Sequence, residues 1–290
     1  MTDSTRSYVV AGTFCTIAVI IIVTGTEAQQ SEPLDIQPVK DGLFMITGPG
    51  GNVGVRLTGS GVVLVDNKFE RNHDAIMGHV RSVTDEPIAY VVGTHHHGDH
   101  MGGNPQFSTH AQIIGHENNR ANMIRGDQPA PPTIVFAEET SIFVGAAEVQ
   151  AHHFGRGHTN GDAIVYFPDL QAIHGGDLLH GTAPFIDYAN GGSSSAWITT
   201  LDGALELDWD TAIPGHGALM TRADVRAFRD QMVAVRTRMG NLITEGVTAA
   251  QAPERIQTSA LSWTQAADGL FMRRSIPGFY DEIAAEQAVR

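Results

Sequence analysis

Short apolar runs separated by glycine-rich turns characterise the chain from Leu43 onward. Runs of this kind, rich in valine and isoleucine and bounded by glycine, are typical of β-strands. The predicted strands are residues 44–47, 53–57, 62–65, 89–92, 113–114, 141–144, 148–153, 163–167, 171–174 and 211–213. Several of these runs are followed closely by a histidine or an aspartate, so polar side chains gather where strands pass into loops.

Helical spacing appears between the strands. Ile76, Val80 and Val83 recur on one helix face and predict a helix over residues 72–83. Further helices are predicted over residues 117–124 and 196–207, the latter opened by N-capping serines, and through most of the chain from Arg222. Strands and helices in this order predict a mixed α/β domain built in layers.

The N-terminal segment resembles a targeting sequence. Residues 9–23 are uncharged and mostly apolar, Arg6 precedes them, and Ala28 ends a small-residue cleavage site. The alternative is an uncleaved anchor, but the run is shorter than the roughly 20 residues of a membrane span. The predicted organisation is a signal peptide (1–28), a linker (29–41), a main domain (42–221) and a C-terminal helical extension (222–290) packed on that domain.

This organisation predicts an exported protein, periplasmic or secreted, with no stable membrane association after cleavage. The only cysteine, Cys15, lies in the predicted signal peptide, so the mature chain would have neither a disulfide nor a thiolate ligand. The net charge of −14, without a basic run, disfavours binding to nucleic acid or anionic lipid. A small-molecule substrate is the expected partner, and the oligomeric state stays open.

A cluster of histidines follows the predicted strand 89–92. In an extended strand end, His95 and His97 would point to the same side and could bind one ion, while His96 would point away. The following turn could bring Asp99 and His100 to a neighbouring ion. Imidazole and carboxylate are suitable zinc ligands. A chance polar tract is the alternative interpretation of the cluster taken alone.

Three later residues strengthen the metal interpretation, because each lies where a predicted strand meets a loop. His158 lies in Gly-x-Gly-His-Thr, Asp177 in Gly-Gly-Asp and His216 in Pro-Gly-His-Gly. With His-x-His-x-Asp-His at residues 95–100, these motifs occur in an order that resembles the metallo-β-lactamase superfamily, from Leu43 to Leu219. The resemblance implies a four-layer αβ/βα sandwich with metals at one edge.

The resemblance also implies two Zn²⁺ ions per chain and assigns their ligands. His95, His97 and His158 would bind the first ion, and Asp99, His100 and His216 the second. Asp177 would bridge both ions, and Asp66, which ends the run 62–65, would orient a ligand. A turn-forming role is the alternative for Asp66. The remaining histidines are expected to be surface or structural residues, namely His73, His79, His96, His110, His116, His152, His153, His174 and His180.

Two departures concern the substrate. The stretch after Gly155 looks most like β-lactamases whose second zinc uses a cysteine, but Asp177 stands at that position. His180 stands where those enzymes carry a lysine that holds the substrate carboxylate. Efficient β-lactam hydrolysis is therefore not expected. His180, Tyr188 and Asn190 are the candidate substrate-binding residues.

The predicted function is zinc-dependent hydrolysis of an acyl-type bond in an ester, lactone, thioester or amide. Hydroxide held by two cations would attack the acyl carbon, and Asp99 would ligate metal and relay a proton. Three alternatives remain open: weak or promiscuous β-lactamase activity, an iron-dependent redox enzyme similar to sulfur dioxygenases, and a non-catalytic metal-binding protein.

Overall fold

The computed structural model describes residues 33–180, 183–256, 269 and 271–289. The predicted signal peptide, residues 1–28, lies outside these ranges. Within them, no helix combines the length and the apolar character needed to cross a membrane. The described residues belong to one compact unit.

Seven strands form the first sheet, in the order of the chain. They are β1 (Asp35–Lys40), β2 (Leu43–Thr47), β3 (Val53–Leu57), β4 (Val62–Val65), β5 (Ile88–Gly93), β6 (Gln112–His116) and β7 (Ile134–Phe136). Strands β1 to β4 pair antiparallel, whereas β4 to β7 pair parallel. All four residues of β4 are buried, as expected of a strand covered on both faces.

The strand β1 corrects one expectation, because it lies within the predicted linker 29–41. Its sequence, DIQPVK, is polar, contains Pro38 and leaves no residue fully buried, so it carries no strong strand pattern. It lies at the edge of the sheet and pairs only with β2. An edge strand tolerates proline because one of its sides donates no ladder hydrogen bonds.

Six strands form the second sheet, in the order β13-β12-β11-β10-β9-β8. They are β8 (Glu139–Val144), β9 (Ala147–His152), β10 (Ile164–Phe167), β11 (Ala172–His174), β12 (Thr211–Ile213) and β13 (Met220–Thr221). Only β11 and β12 pair parallel. Along β9, fully buried and half-buried residues alternate, which is the period expected of a strand with one face in the core.

Eight α-helices cover the outer faces of the sheets in the described residues. They are α1 (His73–Val83), α2 (Gly98–Met101), α3 (Asn104–Phe107), α4 (Glu117–Arg125), α5 (Ser194–Glu206), α6 (Arg222–Thr244), α7 (Ala252–Arg255) and α8 (Ile276–Ala288). Ser193 caps α5 by accepting a hydrogen bond from the amide of Ala196, so a serine opens the helix as predicted, although the helix begins at Ser194 rather than at Ala196. A π-helical turn, Phe271–Ser275, leads into α8.

Three apolar clusters define four layers. One cluster joins the first sheet to α1, α2, α3 and α4 through residues such as Leu64, Ile76 and Met123. A second fills the space between the sheets, and a third joins the second sheet to α5, α6 and α8 around the fully buried Trp197. The chain therefore has the αβ/βα sandwich expected from the sequence, and each layer boundary is a continuous apolar surface.

The carboxyl ends of two parallel strand pairs meet at one edge of this sandwich. In the first sheet β4 runs beside β5, and in the second sheet β11 runs beside β12. The loops after these strands carry Asp66, the residues 95–100, Asp177 and His216. The candidate ligands, which are far apart along the chain, therefore converge between the sheets.

Candidate metal centre

The histidine cluster lies in a bend rather than in a strand. Strand β5 ends at Gly93, and residues 94–97 turn directly into α2, for which His97 is the N-cap residue. The two histidines consequently present different nitrogens: Nε2 of His95 lies 3.1 Å from Nδ1 of His97. The two side chains do meet, as expected, but the predicted reason, alternation along a strand, was wrong. They meet because the chain bends within two residues.

The first donor group consists of His95, His97, His158 and Asp177, all buried except the partly buried His97. Nε2 of His158 lies 2.9 Å from Nδ1 of His97, and 3.5 Å from Oδ2 of Asp177. Oδ2 of Asp177 lies 3.9 Å from Nε2 of His95. Four ligands around a tetrahedral zinc, with bonds of ~2.0–2.2 Å, are separated by ~3.3–3.6 Å. The observed separations scatter around that range.

The second donor group consists of Asp99, His100 and His216. Nε2 of His216 lies 3.3 Å from Nε2 of His100 and 3.3 Å from Oδ2 of Asp99. Asp99 and His100 belong to α2, whereas His216 follows β12. This group therefore joins the first sheet to the second.

Asp177 lies between the two groups, one oxygen toward each. Its Oδ2 belongs to the first group, whereas its Oδ1 lies 3.1 Å from Nε2 of His100 and 3.4 Å from Nε2 of His216. The Oδ1 atom is buried and, in this geometry, accepts no hydrogen bond. A buried carboxylate oxygen without a hydrogen bond is costly unless a cation compensates it. This observation and the nitrogen and oxygen donor set fit a pair of divalent cations.

The ring nitrogens that face away from the groups are bound by other parts of the protein. Nδ1 of His100 lies 2.7 Å from Oδ2 of Asp66, and Nδ1 of His158 lies 2.7 Å from the carbonyl oxygen of Phe185. Nε2 of His97 lies 2.9 Å from Oδ2 of Asp187. Such contacts fix the tautomer and orientation of a metal-binding imidazole, because the outward nitrogen donates and the inward one keeps its lone pair.

Asp66 lies directly behind the second donor group. It is buried, has a φ of 62° directly after β4, and its Oδ1 accepts a hydrogen bond of 2.8 Å from the amide of Thr94. The Thr94 hydroxyl donates to Oδ2 at 2.8 Å. A left-handed φ is strained for an aspartate and persists where its surroundings fix it. Asp66 thus ties the histidine bend to β4 while it holds His100.

Most of the donor side chains are in the protonation state that binds a cation, with neutral imidazoles and ionised carboxylates. Burial, reinforced by neighbouring imidazoles, holds the pKa of His95 well below its ordinary value. Burial also lowers the pKa of His158 to about 3, which leaves both rings neutral. Burial opposes ionisation of Asp99, but the hydrogen bond with His216 and the charge of His100 lower its pKa to about 2.

His100 differs from the other histidines of the groups. Burial disfavours its charged form, but the carboxylates of Asp177 and Asp66 outweigh burial and raise the pKa of His100 well above its ordinary value. In the absence of a cation, a proton on His100 therefore balances part of the carboxylate charge. A cation that binds Nε2 has to replace this proton, so its affinity at the second group depends on pH.

Asp187 is a residue of the site that the sequence analysis missed. Burial opposes its ionisation, but hydrogen bonds from His97 and Asn190 hold the pKa of Asp187 well below its ordinary value. It follows Phe185-Ile186 in a loop that no predicted strand directly precedes, so the search for polar residues at strand ends did not find it. The available signal was its position directly before Tyr188 and close to Asn190, two of the candidate substrate-binding residues.

The candidate substrate-binding residues are engaged with the protein in different ways. The Tyr188 hydroxyl donates to Glu282 of α8 at 2.9 Å, and Asn190 donates to Asp187 at 2.6 Å. His180 is buried, with Nε2 3.4 Å from Oδ2 of Asp177. Of the three, His180 is the one placed against the donor groups. A role in substrate binding stays a prediction for each.

Several of the remaining histidines are buried rather than exposed. His96 is 4% exposed, with Nδ1 3.4 Å from Nδ2 of Asn122. It forms a third donor group with His97 and Asp187, although it is expected not to bind metal. His174 is fully buried and bonded to the Asn52 carbonyl through Nε2 at 3.1 Å. These two therefore belong to the framework of the site.

The family relationship follows from a comparison with known proteins. A family model described as the metallo-beta-lactamase superfamily matches residues 46–216, more than half of the chain. The chain belongs to the metallo-beta-lactamase superfamily. The match begins in β2 and ends at His216, so it includes every candidate ligand but excludes α6, α7 and α8. Membership and the two donor groups together support a metal-dependent hydrolase.

Similar sequences include proteins with different named activities. The 2,4-dinitroanisole O-demethylase subunit alpha of Nocardioides sp. (strain JS1661) is 28% identical over 49% of this chain, and the match spans 44% of that subunit's own length. Metallo-beta-lactamase IND-1 of Chryseobacterium indologenes is 26% identical over 55% of this chain and 69% of the lactamase. Identity at this level does not carry a substrate from one protein to another.

Solved structures agree on the fold. A metallo-beta-lactamase from Pontibacter korlensis superposes with a TM-score of 0.62 at 18% identity and covers 69% of this chain and 98% of its own. The DIM-1 metallo-beta-lactamase also has a TM-score of 0.62, at 20% identity, covering 70% of this chain and 98% of its own. Nearly the whole of each lactamase therefore aligns, while about three tenths of this chain extends beyond them.

Proposed function

We propose that this chain is a hydrolase that binds two Zn²⁺ ions and cleaves an acyl-type bond in an ester, lactone, thioester or amide. The observation that carries the proposal is the position of Asp177, whose two carboxylate oxygens face two separate donor groups. Two divalent cations, when bound, lower the pKa of water and polarise an acyl carbonyl. Hydrolysis then needs no serine, cysteine or lysine nucleophile.

The protein's own residues would perform the remaining tasks. His95, His97 and His158 would hold the first cation, and Asp99, His100 and His216 the second. Asp99, with its pKa lowered to about 2, is ionised at neutral pH, and as a weak base it would ligate metal and relay a proton rather than retain it. It is also partly exposed, so a proton can pass between this carboxylate and solvent.

β-Lactam hydrolysis is the second candidate function, supported by the IND-1 lactamase as a relative. We expect it to be weak. Asp177 offers a hard carboxylate in place of a thiolate, and His180 is a nearly buried imidazole rather than a lysine. Neither supplies a permanent cation for a substrate carboxylate. An iron-dependent redox enzyme and a non-catalytic metal protein remain alternatives that metal analysis and assay can separate.

The deciding experiment combines metal analysis with a substrate panel. The purified chain, loaded with zinc, should hold two equivalents and hydrolyse at least one ester, lactone, thioester or amide. The panel also includes a β-lactam and 2,4-dinitroanisole, the compound after which one relative is named. A chelator should abolish turnover, and zinc should restore it. His110→Ala, at an exposed histidine outside both groups, is the control variant.

The panel and the metal content can also contradict the proposal. One bound iron with oxygen consumption would favour the redox alternative, and two bound zincs without any turnover would favour a binding protein.

We further propose that the chain acts after export, and the apolar run 9–23 and Ala28 support this proposal. The N-terminal sequence of the exported protein should then begin near Gln29, whereas retention of Cys15 in a membrane fraction would contradict cleavage and favour an uncleaved anchor.

A further inference from the structure

The segment Phe185–Asp187 contacts two of the candidate ligands at once. Asp187 accepts the hydrogen bond from Nε2 of His97, and the carbonyl oxygen of Phe185 accepts the one from Nδ1 of His158. In addition, the amide of Asp187 donates to the carbonyl oxygen of His158 at 2.9 Å. The orientation of two imidazoles of the first group therefore depends on where this short segment lies.

The segment has no regular secondary structure of its own, so other elements must hold it. It lies between the loop after β11 and the single turn of 3-10 helix that precedes α5. A loop without ladder hydrogen bonds is held through its side chains and through individual backbone groups. Beyond the bonds to the two histidines, such contacts lead from this loop to the C-terminal helices.

Two hydrogen bonds from the segment and its neighbour end on the C-terminal residues. The amide of Ile186 donates to the hydroxyl oxygen of the fully buried Ser275 at 2.9 Å. The hydroxyl of Tyr188 donates to Oε2 of Glu282 at 2.9 Å. Gly278 leaves room for the Tyr188 ring, since a methyl group at that position would overlap it. Both anchors flank Asp187 directly in sequence.

Glu282 is itself fixed from several directions. It accepts hydrogen bonds from the Ser193 hydroxyl at 2.6 Å and from the amide of Ser194 at 3.0 Å, at the N-terminus of α5. A carboxylate at a helix N-terminus is stabilised by the unpaired amides there. Arg236 of α6 lies 3.4 Å from the same carboxylate. Helices α5, α6 and α8 therefore meet at the residue that holds Tyr188.

We propose that the C-terminal helix α8, with Ser275 at its start, is a positioning element of the metal centre. It holds the segment 185–187, and that segment orients His97 and His158. The inference rests on the proposed metal site, and it assigns a role to a part of the chain that lies beyond the family match. Ser275 and Glu282 touch no candidate ligand, so they act through Asp187 and Phe185.

The test uses two neutral deletions and one matched control on the full chain. Ser275→Ala removes the acceptor of the Ile186 amide, and Tyr188→Phe removes the hydroxyl that donates to Glu282. Tyr280→Phe is the control, since Tyr280 also ties α8 to the protein, through a hydrogen bond of 2.8 Å to the Val247 carbonyl. That contact is to the loop before α7 and not to the segment 185–187.

Zinc affinity is measured without substrate, by competition with a chromophoric chelator, and thermal unfolding is recorded for each metal-free variant. Loss of partners behind metal-binding histidines typically costs 10–100-fold in affinity. Ser275→Ala combined with Tyr188→Phe removes groups one contact further from the histidines, so it should lower the affinity of one of the two zincs several-fold, up to about 10-fold. Tyr280→Phe should lower the unfolding temperature by about as much as each single variant does, but it should leave zinc affinity unchanged. If the double variant is poorly folded, each single variant should show a smaller loss in the same direction.

The outcomes separate this inference from the proposed function. Unchanged zinc affinity in the Ser275 and Tyr188 variants, or an equal loss in Tyr280→Phe, would overturn the positioning role alone. A selective loss of affinity in a protein that hydrolyses no substrate would refute the proposed function and support the positioning role. A wild-type chain that binds no zinc would refute both.

Discussion

Oδ1 of Asp177 and Nε2 of His100 lie 3.1 Å apart, and both side chains are buried. Both atoms carry lone pairs, so their proximity costs free energy unless a proton or a cation lies between them. The raised pKa of His100, caused by the charges of Asp177 and Asp66 against the effect of burial, is the response of the metal-free protein. The same pair is suited to share a cation.

Asp177→Ala should therefore weaken both proposed zinc sites. Within the described residues, only Asp177 places one carboxylate oxygen beside each of the two donor groups. Zinc titration should show two equivalents bound by the wild type and less than one bound tightly by the variant. Retention of one site at wild-type affinity would show that Asp177 serves a single metal.

His97→Ala and His216→Ala should each remove about one zinc equivalent, but from different sites. His97 belongs to the first group and His216 to the second. Cobalt substitution distinguishes the sites, because the visible spectrum of each depends on its ligands. Both variants should lose hydrolysis by at least about 100-fold, since the chemistry needs both cations. Two equivalents bound in His216→Ala, with normal turnover, would contradict the two-site assignment.

The sequence predicted the donor set because its residues follow strands whose patterns are strong. His158, Asp177 and His216 lie in short motifs directly after or between apolar runs, and their order along the chain matched a known family. The two-sheet architecture then followed from that match. The parallel pairing of β4 with β5 and of β11 with β12 explains why these strand ends meet.

The residues behind the donors could not be predicted in the same way. Asp187 reaches His97 across 90 positions of sequence from a loop that lacks periodicity. Likewise, Ser275 is the N-cap residue of α8 and Glu282 lies within that helix, whose amphipathic pattern is weak, and nothing local connects them to the histidines. Their roles depend on the packing of α8 against α5 and α6, which is a tertiary property. The edge strand β1 was missed because its residues are polar and only partly buried.

Gly51→Ala should disturb the second donor group selectively. A Cβ atom at Gly51 would overlap the imidazole of His100, which cannot move because Nδ1 is held by Asp66. Overpacking of this kind costs about 1–3 kcal/mol. We expect loss of one zinc equivalent and a lower unfolding temperature. Gly78→Ala is the control for the general effect of a glycine-to-alanine change, because Gly78, like Gly51, has no left-handed φ and a Cβ atom there meets nothing within 4 Å. Equal zinc binding in both variants would contradict the prediction.

Asp177→Cys combined with His180→Lys should shift the ratio of kcat/KM values toward β-lactams. The thiolate would serve only the second metal, and the lysine would supply a permanent cation at a position 3.4 Å from residue 177 in the wild type. Assays of one β-lactam and one ester with each single variant and the double variant would separate the two effects. A wild-type chain with kcat/KM near ~10⁶ M⁻¹s⁻¹ for β-lactams, an ordinary enzymatic value, and no turnover of the other acyl substrates would contradict the expectation that β-lactam hydrolysis is weak.

Lys68 makes the stability of the metal-free protein depend on pH. Its side chain is fully buried and its Nζ donates to the carbonyl oxygen of Gly51 at 2.6 Å. Burial lowers the pKa of Lys68 from 10.5 to about 8, although Asp99 and Asp66 act in the opposite direction. Between these two values the unfolded chain binds more protons than the folded chain, so this group adds stability as pH rises.

The free energy of unfolding of the wild type, relative to Lys68→Met, should therefore increase between pH 8 and pH 10.5. The full pKa difference corresponds to about 3 kcal/mol. Urea unfolding of the metal-free proteins measures it, and the difference between the two curves removes the contribution of other titrating groups. Lys68→Arg is the control, because a guanidinium does not lose its proton in this range and its curve should stay parallel to that of Lys68→Met. If the difference in the free energy of unfolding between the wild type and Lys68→Met does not change with pH, Lys68 has the same pKa in the folded and the unfolded chain, which would contradict this prediction.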